Sequence, residues 1–181
     1  MTGRVDDEEI ITAVGSFGAR DSAEGFQWSH PTRMPPPREC EVVEMWPAQG
    51  PDALVIQHME ARMRPGEYAA RSNGQVSDSG RISLWLRTKN DLPVDAGVLA
   101  LFADFVPSVI ALSMGRRGGG SSLDNTLRVV RLVPTRWVLC VIDAHGVDHG
   151  MGHGDIHLYA ETGELLGVGS QSCLMRFFTP Q

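Results

Sequence analysis

The stretch that decides the fold is Val98–Leu112, VLALFADFVPSVIAL. Its apolar residues recur at helical spacing and cover nearly the whole circumference, and a helix with no broad polar face has to be buried on most sides. One carboxylate, Asp104, interrupts it, with no basic residue within ten positions on either side. At 100° per residue its neighbours on the same face are Gly97, Ala100, Ser108 and Ala111, all small, whereas Leu101, Phe102, Phe105, Val109 and Leu112 lie largely elsewhere. The acid therefore sits where the helix is thin, either to let the helix press closely on its neighbours or to leave room for a ligand atom or a water.

What flanks this helix, expected over Pro93–Met114, is strand-like. DALVIQHMEARM (52–63) and GRISLWLRT (80–88) precede it, and after an expected RRGGGSS loop come four more strands, Ser122–Leu132, Arg136–His145, Gly152–Ala160 and Leu165–Phe177. ETGE (161–164) marks a tight turn between the last two. Connections this short do not suit parallel crossovers. The expected architecture is α+β, a single domain in which a curved antiparallel sheet of about six strands wraps around one long apolar helix, the hot-dog arrangement. Residues 51–181 make that domain. Residues 1–50 read as an N-terminal arm, with a short helix in DDEEIITAV (6–14) and a stiff Pro-rich linker in HPTRMPPPREC (30–40).

With 181 residues, 42% hydrophobic and 21% charged, the chain has sequence for one domain with a real core plus extra chain. A net charge of −6 argues against nucleic acid or an anionic membrane as partner, since both need a basic face. Cys40, Cys140 and Cys173 form no Cys-x-x-Cys pair, which fits a reducing cytoplasm better than a disulfide framework. No basic-then-apolar leader opens the chain, and no run was expected to reach the roughly 18 apolar residues of a spanning helix. His145, His149, His153 and His157 recur every fourth residue, but Gly146, Gly150, Gly152 and Gly154 would each cost a helix about 1 kcal/mol. Strand, turn and strand is the expectation there, with His153, Asp155, His157 and Tyr159 on one face, and no metal is expected.

Two further segments carry polar groups in apolar surroundings. GSSLDNTLRVVR (120–131) offers the hydroxyls of Ser121 and Ser122, and GVGSQSCLMR (167–176) carries an amide, Gln171, which once buried must find partners. Together with FADF (102–105), SSLDNTLRVVR (121–131) and SQSCLMR (170–176), the chain from about Ala53 to Arg176 resembles the C-terminal half of bacterial acyl-CoA thioesterase II, the tandem hot-dog acyl-CoA hydrolases. The likeness runs on from WVLC (137–140) through HLYAETGELLGVGSQ (157–171) with little change in length.

The resemblance implies a hydrolase whose acid, hydroxyl and amide hold and activate a water for attack on a thioester carbonyl: Asp104, Ser122 and Gln171, with serine where the family more often has threonine. A base in low-dielectric surroundings gains basicity, so Asp104 is expected to be enclosed. The N–H groups of Gly119 and Gly120, on an expected loop, would face the developing oxyanion, and Arg116 and Arg117 would meet coenzyme A phosphates. No cofactor is implied. Two departures stand out. Met151 occupies a position where relatives tend to have arginine, and there is sequence for one hot-dog repeat where the family has two, EGFQWSHPTRMPPP (24–37) resembling the tail that follows the first. Homodimerisation, or pairing with another hot-dog domain, is the expected remedy for an uncovered sheet, and a non-catalytic subunit or truncated remnant is the alternative function.

Overall fold

A computed structural model describes residues 1–18, 24–45 and 55–178. In chain order the elements are β1 Thr2–Val5, β2 Glu8–Thr12, β3 Glu41–Val43, β4 Met59–Met63, α1 Glu67–Ser72, β5 Arg81–Thr88, α2 Ala96–Ala103, α3 Val106–Ser113, β6 Gly118–Val129, β7 Val138–Asp148, β8 Met151–Ala160 and β9 Leu165–Phe177. Seven strands form one antiparallel sheet in the order β3-β4-β5-β7-β8-β9-β6. Its inner face packs on α2 and α3. Phe102, Phe105, Val109 and Ile110 meet Leu84, Leu86, Ile142, Ile156 and Leu158 in the main core. This is the single hot-dog fold, with seven strands where about six were expected.

The long helix is broken at its acid. Asp95 caps α2 by accepting the Val98 N–H at 2.9 Å, but Pro107 has no N–H for the Ala103 carbonyl and its ring crowds that group. Helical bonding gives way to tighter i to i−3 contacts, Asp104 N–H to Leu101 O at 3.4 Å and Phe105 N–H to Phe102 O at 3.3 Å. The thin stripe is split accordingly: Gly97, Ala100 and Asp104 are exposed, whereas Ser108 and Ala111 are buried. Contrary to the sequence-based expectation, Ala96–Ser113 is long and apolar enough to cross a membrane by length and composition, but it is mostly buried inside this fold. Glycines on the facing strands allow its close approach. A Cβ on Gly154 would stand 3.0 Å from the Val106 side chain and 2.8 Å from the Asp143 carbonyl.

Four local expectations differ from the structure. Residues 6–14 do not form a helix: Asp6 and Asp7, at φ 48° and 68°, close a two-residue hairpin between β1 and β2, and Thr2, Val5, Ile10, Ile11 and Thr12 favour strands. Val55–His58 is a 3₁₀ turn before β4, and the part of that expected strand at 52–54 lies outside the described residues, as does the arm boundary near residue 50. The supposed RRGGGSS loop is strand from Gly118 onward, because Gly118 and Gly120 lie so close to β9 that a Cβ would stand 2.5 Å from Arg176 O and 2.9 Å from Leu174 O.

The fourth difference concerns the Pro-rich segment, which is strapped across the outer face of the sheet. Trp85 donates its indole N–H to Pro35 O at 2.8 Å, Gln27 brackets the β8–β9 turn through Gly163 O and the Leu165 N–H, and Ser29 meets the Tyr159 hydroxyl at 2.7 Å. Beneath it Cys40, Trp85, Trp137, Leu139, Val141 and Tyr159 form a second apolar cluster. Much of the rest of the outer face is polar, with Arg81 bridged to Asp143, His145 to Asp155 and His153 to Ser172, although the paired Met151 and Leu174 are exposed on it. Part of the apolar sheet surface expected to lie open is therefore covered by the chain's own arm.

Candidate functional site

Asp104, Ser122 and Gln171 come from three different elements and meet. Gln171 lies on β9 with its side chain toward the helix, at 0% exposure. Its Nε2 donates to Asp104 Oδ1 at 2.6 Å and to Ser122 Oγ at 2.8 Å, while Ser122 Oγ is 3.4 Å from the same Asp104 oxygen. The carboxylate fixes the orientation of the amide, since turning it over would set its carbonyl oxygen against a negative charge. In the orientation present, Gln171 Oε1 is buried with no hydrogen-bond partner among the described residues. Leaving a buried polar atom unmatched costs about 1–3 kcal/mol, so this oxygen calls for a donor that none of the described residues supplies.

A fourth residue joins the group. Asn125 Nδ2 lies 3.4 Å from Asp104 Oδ1 and Asn125 is the direct cross-strand partner of Gln171. Strict alternation along β6 would place Ser122 and Asp124 on one face and Asn125 on the other. The pairing of β6 with β9 slips between Ser122 and Asp124, however, so that Leu123 is an extra residue and Asn125 returns to the face of Ser122. Asp124 is turned outward and accepts the Ser172 N–H at 2.9 Å. Period-2 reading conceals Asn125, and its only signal in the sequence is its nearness to Ser122.

The site is open. Asp104, Ser122 and Asn125 are all exposed, and β6 is the outermost strand of the sheet, so the enclosure expected around Asp104 is not provided by the described residues. Of the four residues expected to bind substrate, none touches the Asp104 group. Arg116 lies over the Phe177 ring, 4.2 Å from its centroid, and Arg117 lies against the Tyr68 hydroxyl. Gly119 and Gly120 are strand residues paired with Arg176 and Met175. At about 3.3 Å per residue, Arg117 stands roughly 16 Å along β6 from Ser122. Cys173, the cross-strand partner of Ser122, is buried; that burial pushes its thiol up, and the nearby Asp104 carboxylate adds to this. Among the described residues no group of three or more side chains is arranged to hold a metal ion.

Known proteins resemble this chain in family and in fold. The family model for the acyl-CoA thioesterase C-terminal domain matches residues 35–175. The crystal structure of a candidate thioesterase from Novosphingobium aromaticivorans superposes with a TM-score of 0.74 at 33% identity, covering 88% of this chain and 59% of that one. A conserved hot-dog protein from Alicyclobacillus acidocaldarius gives 0.68 at 18% identity over 91% of this chain and 61% of that one. An acyl-CoA thioesterase II from Mycobacterium marinum gives 0.56 at 19% identity, over 87% and 60% respectively. The chain thus spans about three fifths of the length of these solved structures. No curated protein matches it.

Proposed function

Since the chain belongs to the acyl-CoA thioesterase C-terminal domain family, we propose that it hydrolyses acyl-CoA thioesters to free acid and coenzyme A at the Asp104 group. The observation that carries this reading is the convergence of Gln171 and Ser122 on one oxygen of Asp104 beside an unmatched buried amide oxygen. Three donors hold Oδ1, which leaves Oδ2 without a hydrogen-bond partner among the described residues. Oδ2 takes a proton from a water as that water's oxygen bonds to the thioester carbonyl carbon. Collapse of the tetrahedral intermediate breaks the C–S bond, and the proton passes from Asp104 to the departing thiolate. Ser122 and Gln171 orient the water.

The openness of the site favours pairing. β6 ends the sheet as a twelve-residue strand with one edge unpaired among the described residues, Leu123 and Val129 on it and Val130 and Leu132 beyond it are exposed, and the β1–β2 hairpin also exposes Val5, Ile10 and Ile11. A second copy of this chain or another hot-dog domain set against this edge would enclose Asp104. The same openness favours a second reading, a non-catalytic hot-dog subunit that completes a partner's site. Thiol release by the purified protein across a series of acyl-CoA lengths, with size-exclusion chromatography of the same sample, separates the two. Hydrolysis by a dimer that falls on dilution is the expected result, and a stable monomer that releases no thiol at any chain length would establish the subunit reading instead.

A further inference from the structure

We propose that Asn125 is a positioning residue for Asp104, brought to the site by the β-bulge at Leu123; the inference rests on the hydrolase reading above. In an unbroken strand Asp124 would occupy the inner face and set a second carboxylate beside Asp104. The extra residue replaces that negative charge with a neutral amide that can donate, and sends Asp124 to the outer face, where it accepts the Ser172 N–H. Asn125 and Gln171, directly paired across β6 and β9, then hold Asp104 Oδ1 from the two strands together. Gln171 supplies the short bond at 2.6 Å and Asn125 a longer one at 3.4 Å. Their joint effect is to stop the carboxylate turning about its Cβ–Cγ bond, which keeps Oδ2 aimed at the attacking water. Asp104 needs such help because it stands at the junction of α2 and α3, where the helical backbone is interrupted, and because it is exposed.

Two substitutions and one spectrum test this. Asn125 is exposed, so neither variant should disturb folding. Asn125→Ala should lower kcat about tenfold with KM within about twofold, the size expected for loss of one hydrogen bond to a charged group. Asn125→Asp has the same shape but brings a negative charge and no donor, and it should lower kcat further than alanine does. If Asn125 only shaped the strand, the order would reverse and the isosteric aspartate would be the milder change, which would overturn the proposal. Independently of turnover, the side-chain amide proton resonances of Asn125 in the otherwise native protein should shift when Asp104 is changed to Asn. Wild-type protein that releases no thiol would defeat the hydrolase reading alone. In that case a shifted Asn125 resonance still supports the hold on Asp104, and an unmoved one overturns it.

Discussion

The two ends of the sheet differ in what lies on their faces, although β3 and β6 each leave one edge without a strand partner among the described residues. At the β3–β4 end the groups are satisfied from within: the arm covers Trp85 and Trp137, and the Arg62 and Arg87 guanidinium groups flank the Trp137 ring at 5.1 and 4.9 Å while both bind Glu60. Arg62 also reaches Pro37 O at 3.0 Å, tying the strap to the sheet. At the β6 end, among the described residues, the acid is exposed beside the unpaired edge and a buried amide oxygen has no partner. The first end has its outer face tied to the chain's own arm. The second has the features of a surface arranged for something outside the chain, and the contrast says where substitutions should cost stability and where they should cost function.

The sharpest way to break the contrast is at Asp104. Replacing it by Asn, an isosteric change on an exposed side chain, should lower turnover by about 10²–10⁴-fold, the usual consequence of removing a general base, with thermal stability nearly unchanged. Unaltered hydrolysis would remove Asp104 from the mechanism. At the other end Trp85→Ala should do the opposite. It deletes a side chain only 5% exposed together with its bond to Pro35, and should cost about 3–5 kcal/mol of stability by denaturant unfolding. A loss below about 1 kcal/mol would show that the strap contributes little to holding the domain.

The smallest effect should appear in acid. Burial raises the Glu60 carboxyl, but hydrogen bonds from Arg87 and Arg62 outweigh it and hold the group below the usual glutamate range. A carboxylate depressed in the folded state contributes stability that is complete above its unfolded value and is lost as pH falls toward and through the folded one. Unfolding should therefore become easier as pH drops below the ordinary glutamate range, and Glu60→Gln should flatten that dependence by roughly 1 kcal/mol or less, given partial solvent screening. An acid limb identical in the variant would mean that other groups govern it.

How much of this was legible depends on the range over which each feature is decided. The apolar circumference of 98–112 and the alternation in 80–88, 138–145 and 152–160 are local, because burial of a helix or a strand face leaves its period in the chain, and they sufficed for one sheet around one buried helical segment. The expectation of one unbroken helix over Pro93–Met114 passed over Pro107, which separates α2 from α3 and leaves Asp104 as a cap. The assignment of Asp104, Ser122 and Gln171 to one place came from family resemblance, since residues 18, 49 and 67 positions apart leave no local trace of meeting. Only the tertiary structure decided the rest. The bulge at Leu123 exists only in the register of β6 against β9, so nothing in the alternation of β6 alone could reveal that Asn125 faces inward and Asp124 outward. The Pro-rich segment could be read as stiff but not as docked, because what holds it is the Trp85 indole and the Gln27 amide finding carbonyls and N–H groups distant in sequence. Periodicity records which side of an element avoids water. Which elements lie together, and which edge is left without a neighbour, is settled by cross-strand pairing and packing between segments far apart in the chain.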